Sequence, residues 1–305
     1  MQIEVIGVPT NSSGTVDGVA KAPSALRRAG LLELLARHAE VVDTGDLDLP
    51  MPTPERDPGS GLIAEGALVA MVATVRAAVA RALAAGRFPL LLGGDCPLLL
   101  GALAAARDVH GQVGLLFVDG HEDAWPPQRS PTGEAADCEL GLALGRWRDR
   151  LEPGLAALLP LVAAEDVALL GPRDAGELAA AGVPSLAAEV ELHPAAELLA
   201  RGVEPVTQAA VDRLRRRSGP LWLHVDLDVL ATDALEAVDY RQPGGLAWAD
   251  LEALALRAVG SPAVIGLDVT IYNPDLDRGG GGARRIVAWL ATVAASLAGR
   301  DGRGA

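Results

Sequence analysis

The sequence predicts an α/β fold of three layers, in which a mostly parallel central sheet lies between two layers of helices. Short apolar runs, typical of buried strands, alternate with longer Ala- and Leu-rich runs along the 305 residues. Half of the residues are hydrophobic but only 3% are aromatic, so the core must be aliphatic. Parallel strands packed between aliphatic helices suit such a core, with right-handed crossovers between the strands.

The predicted strands are short runs of Val, Ile and Leu that end at Gly or at a polar residue. In chain order they cover residues 3–8, 41–43, 88–92, 113–118, 167–170, 221–225 and 264–270. Several of them carry apolar residues at every position, which indicates burial on both faces of the sheet.

The predicted helices are the Ala- and Leu-rich runs between these strands. They cover residues 23–37, 65–85, 98–107, 134–144, 208–217, 249–258 and 283–297. Pro23 suits the first turn of one helix, and Gly86 suits the end of the next. The Pro-rich patches at 50–58 and 126–131 are too short to be linkers, so we expect one domain over residues 1–305.

The composition narrows the class of function. With 40 acidic and 26 basic residues the net charge is −14, which argues against nucleic acid as a partner because phosphate binding needs positive charge. The N-terminal residues resemble a strand rather than a signal peptide, and no uninterrupted apolar run reaches about 20 residues. Two cysteines, Cys96 and Cys138, form no disulfide framework. We therefore expect a cytoplasmic protein without a membrane partner.

Three polar clusters follow three of the predicted strands directly. They are residues 93–96 (Gly-Gly-Asp-Cys), residues 119–123 (Asp-Gly-His-Glu-Asp) and residues 226–228 (Asp-Leu-Asp). In an open parallel sheet, ligands bind beyond the carboxyl ends of the strands. The three clusters are therefore expected to meet in space.

The spacing within the clusters predicts a metal site. Alternate residues of an extended chain point to one side, so Asp119, His121 and Asp123 should converge, as should Asp226 and Asp228. Four carboxylates so close together cannot all stay ionised without cations. Oxygen-rich ligands with one imidazole suit Mn²⁺, and two such ions activate water at neutral pH.

Two further residues are expected to support this site rather than to form it. His224 shares the strand face of Asp226 and Asp228 but lies deeper, so we predict a core residue or one that orients the ligands. Cys138 is expected to be a small apolar packing residue on a helix.

The three clusters resemble the metal motifs of the arginase/agmatinase family, the ureohydrolases, which read Gly-Gly-Asp-His, Asp-Ala-His-x-Asp and Asp-x-Asp-x-x-Asp-Pro. The likeness extends from residues 14–32 to residues 266–274. It implies an arginase-like three-layer fold, Mn²⁺ as cofactor, a small-molecule substrate, and a homo-oligomer, trimeric or hexameric. It also implies hydrolysis of a guanidino or similar C–N bond by a metal-bound hydroxide, with His121 and Asp123 as catalytic residues.

The chain departs from the family pattern at several positions around the site. Ala231-Thr232 stand where the third motif ends in Asp-Pro. Family members carry a His ligand, a proton-shuttling His, a substrate-pairing Glu and an Asn where this chain has Cys96, Ala136, Ile271 and Trp125.

These departures shape the expected substrate. A guanidinium without its carboxylate partner loses about 2–5 kcal/mol. We therefore expect a hydroxyguanidine, amidine, formimino compound or amide rather than arginine, contacting Trp125, Thr132, Asp137 and Ile271. Glu122, Glu134 or Asp137 remain alternatives for a replacement anion.

Two questions stay open at this stage. Cys96 is either a thiolate ligand, which would favour Zn²⁺, Fe²⁺ or Co²⁺, or a neutral thiol beside a weak site, so one or two ions are expected per chain. The protein is either an active hydrolase or an inactive family member that acts as a metal-binding or regulatory subunit.

Overall fold

The computed structural model describes residues 1–301, and all eight strands found there lie parallel in one sheet. The strands are β1 (Gln2–Val8), β2 (Glu40–Asp46), β3 (Phe88–Gly93), β4 (Gly114–Val118), β5 (Val167–Leu170), β6 (Glu191–His193), β7 (Leu221–Asp226) and β8 (Val264–Thr270). Their order is β2-β1-β3-β8-β7-β4-β5-β6. The predicted parallel sheet is confirmed.

Helices connect the strands and cover both faces of the sheet. Over the same residues they are α1 (Ala22–Arg28), α2 (Leu31–Leu35), α3 (Glu65–Ala84), α4 (Leu98–His110), α5 (Glu139–Ala143), α6 (Pro153–Ala156), α7 (Ala175–Ala181), α8 (Ala195–Arg201), α9 (Val203–Ser218), α10 (Trp248–Val259) and α11 (Gly281–Asp301).

The core is divided by the sheet into two apolar layers. Successive strand residues point to opposite faces, so Leu90 and Leu92 pack with α1, α2 and α9 to α11, whereas Leu91 packs with α3 to α5. This arrangement confirms the three layers. By length and composition alone α3 is apolar enough to cross a membrane, and in the structure it packs along α4.

Two predicted helices are corrected. The run at 23–37 is broken into α1 and α2 because Gly30 adopts a left-handed φ of 91°. The run at 134–144 is a short 3₁₀ turn followed by α5. Residues 175–201, for which no element was predicted, contain α7, β6 and α8.

The strand order places four strand ends side by side at the centre of the sheet. β3, β8, β7 and β4 are consecutive neighbours, and the polar clusters follow β3, β7 and β4. Gly94, beyond β3, permits close packing there, because a Cβ would lie 2.0 Å from the carbonyl oxygen of Thr10. The three clusters therefore meet at one edge, as expected.

Candidate metal centre

The segment after β4 brings Asp119, His121 and Asp123 together. Asp119 is fully buried, and its Oδ1 accepts a 2.7 Å hydrogen bond from the backbone N–H of His121. The chain is bent at residues 120–121 rather than extended, and Asp123 adopts a left-handed φ of 43°. The side chains thus converge as predicted, but they do so through a bend and not through strand alternation.

The end of β7 supplies Asp226 and Asp228 through a 3₁₀ turn. The backbone N–H of Asp228 donates to Asp226 Oδ1 over 2.6 Å, which fixes both carboxylates at the strand end. Asp228 Oδ2 lies 3.0 Å from His121 Nδ1, and Asp228 Oδ1 accepts a 3.1 Å bond from the backbone N–H of Gly120. These contacts join the two clusters.

Cys96 reaches the same place from the loop after β3. Its side chain is buried, and Sγ lies 2.9 Å from Asp226 Oδ2 and 3.0 Å from Thr270 Oγ1. Burial, followed by the charges of Asp226 and Glu139, raises the pKa of the thiol well above its usual range. All six predicted ligands therefore share one buried space.

Burial, reinforced by charge repulsion, disfavours the ionised forms of the carboxyls in this space. Burial raises the pKa of Asp226, and repulsion from Asp228 and Asp119 raises it further. Burial, Asp119 and Glu139 likewise raise the pKa of Asp123. Burial raises the pKa of Asp119, but the nearby imidazoles of His121 and His224 outweigh burial and lower it below its usual range.

Burial and neighbouring charge also act on the pKa of His121, but here they act in opposite directions. Burial lowers its pKa, but the carboxylates of Asp228 and Asp119 outweigh burial and raise it well above the usual value. Its side chain remains 18% exposed, so the imidazole lies between the buried carboxylates and the solvent.

The donor set fits divalent cations. Asp119 belongs to three groups whose ligand atoms lie within 4.8 Å of one another. Its partners are His121 and Asp123 in the first group, Asp226 and Asp228 in the second, and Cys96, Glu139 and His224 in the third. Its Oδ2 atom is buried without a hydrogen-bond donor among the described residues. Buried carboxylates that lack donors are stabilised by bound cations.

A cavity of about 230 Å³ opens onto this cluster. The predicted substrate-contacting residues all line it, namely Trp125, Thr132, Asp137 and Ile271. Ala136 lies in the same wall.

The candidate replacement anions differ in their access to this cavity. Asp137 lines it, but its Oδ2 already accepts a 2.6 Å bond from Thr132 and a second bond from Ser130. Glu122 is turned away and accepts bonds from Ser185 and Leu186 N–H.

Glu134, the third candidate, accepts a 3.0 Å bond from Tyr240 and lines a neighbouring cavity.

Sequence reasoning missed three acidic groups near the site, Asp174, Glu177 and Glu139, and gave His224 only a core or supporting place. Asp174 and Glu177 line the cavity after β5, and burial raises the pKa of Asp174 to about 6. The position of Asp174 just beyond a strand was a usable signal. Glu139 and His224 are fully buried beside Asp119. Nothing in its local sequence separated Glu139 from an ordinary helix residue, whereas His224 was marked by sharing the strand face of Asp226 and Asp228.

Comparison with known proteins identifies the family. The sequence model of the Arginase family matches residues 1–297. The arginase of Bacillus caldovelox is 28% identical over 296 residues, covering 95% of this chain and 97% of its own. Its solved structure has a TM-score of 0.83 at 27% identity and the same coverage. The formimidoylglutamase of Bacillus subtilis has a TM-score of 0.75 at 20% identity, covering 97% of this chain and 87% of its own, which shows the fold alone. This chain belongs to the arginase family.

Proposed function

We propose that the chain is a metal-dependent hydrolase that cleaves a C–N bond of a guanidino, amidino, formimino or related amide compound and is not an ordinary arginase. One observation carries the proposal. Four buried aspartates and His121 meet at the inner end of a cavity at the centre of the sheet edge. Relatives named arginase, proclavaminate amidino hydrolase and agmatine ureohydrolase support this class of reaction.

The cluster would hold one ion between His121, Asp119, Asp226 and Asp228, and a second near Asp123 and Cys96. We propose Mn²⁺ for the oxygen-rich position, with Zn²⁺, Fe²⁺ or Co²⁺ as candidates near the thiol. When bound, such ions polarise the substrate and activate water at neutral pH. Asp123 lines the cavity, where its carboxyl can accept a proton from the attacking water and return it to the departing amine.

The composition of the cavity wall supports a weakly basic substrate rather than a strongly basic one. Ile271 lies in the wall, so this position offers a guanidinium only an apolar contact. Asp137, in the same wall, is already engaged by two hydroxyls. A neutral or weakly basic group would therefore lose less on leaving water than arginine would.

Asp174 and Glu177 can bind the other end of the substrate. Both line the cavity, and at neutral pH Asp174 is largely ionised because its pKa is about 6. A substrate that carries a distant amine as well as a weakly basic reacting group fits this distribution of charge.

The test is a release assay with defined metal content. Protein stripped by a chelator would be reloaded with Mn²⁺, Zn²⁺, Fe²⁺ or Co²⁺ and offered arginine, agmatine, hydroxyguanidines, amidines, formimino compounds and amides. We expect metal-dependent release of urea, ammonia or an amine from at least one weakly basic compound. Absence of release with every metal and compound would overturn the proposal.

That negative outcome would favour the second candidate function, a metal-binding or regulatory subunit. Its supporting observation is that Cys96, Ala136 and Ile271 line the cavity where catalytic side chains were expected.

We also propose that the protein is cytoplasmic and forms a homo-oligomer, a trimer or a hexamer. Both cysteines are free and buried, which suits a reducing compartment. Light scattering on the purified chain tests the oligomeric state.

A further inference from the structure

His224 presents one ring nitrogen to the buried cluster. The residue is fully buried in β7, and its ring stacks on Phe117 at 4.6 Å. Its Nδ1 is hydrogen-bonded to Asp268 Oδ2, so the neutral ring with its proton on Nδ1 has its lone pair on Nε2. Nε2 has no hydrogen-bond partner within residues 1–301 and lies 3.9 Å from Asp119 Oδ2.

Glu139 is the second unexplained group. It begins α5 and is fully buried, yet neither of its carboxyl oxygens accepts a hydrogen bond from an N–H or hydroxyl group of the described chain. Its neighbour is another carboxyl, that of Asp123. A buried carboxyl without donors is costly unless a cation is present.

Glu139 and His224 both lie close to the thiol of Cys96. One ligand atom each from Cys96, Asp119, Glu139 and His224 lies within 4.8 Å of the other three. A tetrahedral ion with bonds of about 2.0–2.3 Å needs ligand atoms about 3.3–3.8 Å apart, so the four side chains would close in by at most about 1.5 Å on binding it. Asp119 Oδ1 faces His121, whereas Oδ2 lies toward His224, so one carboxylate can serve two ions.

We propose that the second ion, the one nearest the thiol, is bound by Cys96, Asp119, Glu139 and His224, deeper than the ion held by His121, Asp226 and Asp228. The inference rests on the proposed function in placing that other ion. His224, which sequence analysis assigned to the core or to a supporting role, is then a ligand.

The donor chemistry selects the ion. One thiolate, one imidazole and two carboxylates suit Zn²⁺, Co²⁺ or Fe²⁺ better than Mn²⁺. Asp268 supports this assignment, because metal-binding histidines commonly donate their other N–H to a carboxylate. When the ion binds, the protons on Cys96 Sγ, on His224 Nε2 and on the Glu139 carboxyl leave for solvent. Asp226 Oδ2 then loses its S–H donor, which frees that oxygen for the other ion.

The test isolates the deep position in an Asp228→Asn background, in which the other ion loses a ligand. Zinc would be titrated into the metal-free protein, and X-ray absorption at the zinc edge would report the ligands. We expect one ion per chain with one sulfur at about 2.3 Å. Adding Cys96→Ser should remove the sulfur signal, whereas adding Cys138→Ser, the matched control, should leave it unchanged.

The new ligands are tested by their effect on zinc affinity. In the same background, Glu139→Gln and His224→Gln should each abolish stoichiometric binding, and Asp268→Asn should weaken affinity by about 10–100-fold. Circular dichroism of each metal-free variant checks folding.

The outcomes separate this inference from the proposed function. Zinc bound without sulfur, or with unchanged affinity after Glu139→Gln and His224→Gln, would overturn the inference. If Asp228→Asn binds no zinc while the wild type binds one ion and hydrolyses a substrate, the inference fails and the function stands. If zinc binds with sulfur but no C–N bond is cleaved, the inference stands and the function fails.

Discussion

The thiol of Cys96 lies 2.9 Å from Asp226 Oδ2, which joins the loop after β3 to the end of β7 inside the buried carboxylate cluster. The proton on sulfur therefore satisfies an aspartate oxygen that a divalent ion would otherwise take. We therefore predict that the choice of metal depends on whether that proton stays on sulfur.

Replacing the thiol with an imidazole should change both metal content and pH dependence. A His at position 96 is a neutral ligand, so Cys96→His removes one negative charge and should raise Mn²⁺ content toward two per chain. It should also shift the acidic limb of the pH–rate profile to lower pH, because the activated water no longer faces a thiolate. Elemental analysis and the profile measure both effects, with Cys138→Ser as control. Identical values for wild type and variant would place Cys96 outside the ligand set.

Asp226 is predicted to be a metal ligand, because its carboxylate lies between Asp228 and Cys96 inside the cluster. Asp226→Asn keeps the acceptor for the Asp228 N–H but loses a charge, so at least one ion should be lost. The matched control is Asp239→Asn, outside the cluster, where Asn273 can still donate to the new amide oxygen. Wild-type metal content in purified Asp226→Asn protein would refute this role as a ligand.

Ile271 should limit hydrolysis of basic substrates. We predict that arginine and agmatine react about 10² to 10⁴ times more slowly than the preferred substrate, because the guanidinium lacks a carboxylate partner. Ile271→Glu should raise kcat/KM for agmatine at least about 10-fold, whereas Ile271→Gln, of equal size but neutral, should not. Neither substitution should strain the backbone further, because the β-branched Ile271 is already unfavourable at its φ of 67° and Glu and Gln are not β-branched. Efficient urea release from arginine by the wild type would contradict this account.

Glu134 should make the metal-free protein less stable as pH rises. Burial, followed by the charge of Asp95, raises its pKa from 4.5 to about 7. The folded state therefore holds a proton that the unfolded state releases, and stability falls as pH increases between about 4.5 and 7. Urea midpoints at pH 5 and pH 8 should show Glu134→Gln gaining stability mainly at pH 8. The exposed control Glu55→Gln should show no such difference, and an equal gain at both pH values would rule out titration of Glu134.

The sheet and the outline of the site followed from the sequence because both depend on local signals. Apolar runs ending at Asp119 and Asp226 mark strands and strand ends together, and parallel pairing forces those ends to one edge. The break between α1 and α2 at Gly30 was harder to predict, because a glycine within a helical run does not by itself indicate a left-handed conformation.

The groups that sequence reasoning missed depend on non-local packing. Glu139 is adjacent to Cys138 in the chain, but its place beside Asp119 is set by the fold of residues 124–138, which lack regular periodicity. His224 was recognised as deep in its strand, yet the free lone pair on Nε2 depends on Asp268, 44 residues away. Asp174 follows a strand whose end was noted, and only the structure shows that it lines the cavity.

The most direct test of the central claim compares metal content and C–N hydrolysis in the same samples of wild type, Asp119→Asn and Asp137→Asn. Asp119 belongs to every group of ligand atoms in the cluster, whereas Asp137 lines the cavity without joining any of them. We predict that Asp119→Asn loses bound divalent ions and hydrolysis together, and that Asp137→Asn keeps its metal whatever its turnover. Wild-type metal content and turnover in Asp119→Asn would contradict a metal-dependent hydrolase built on this cluster.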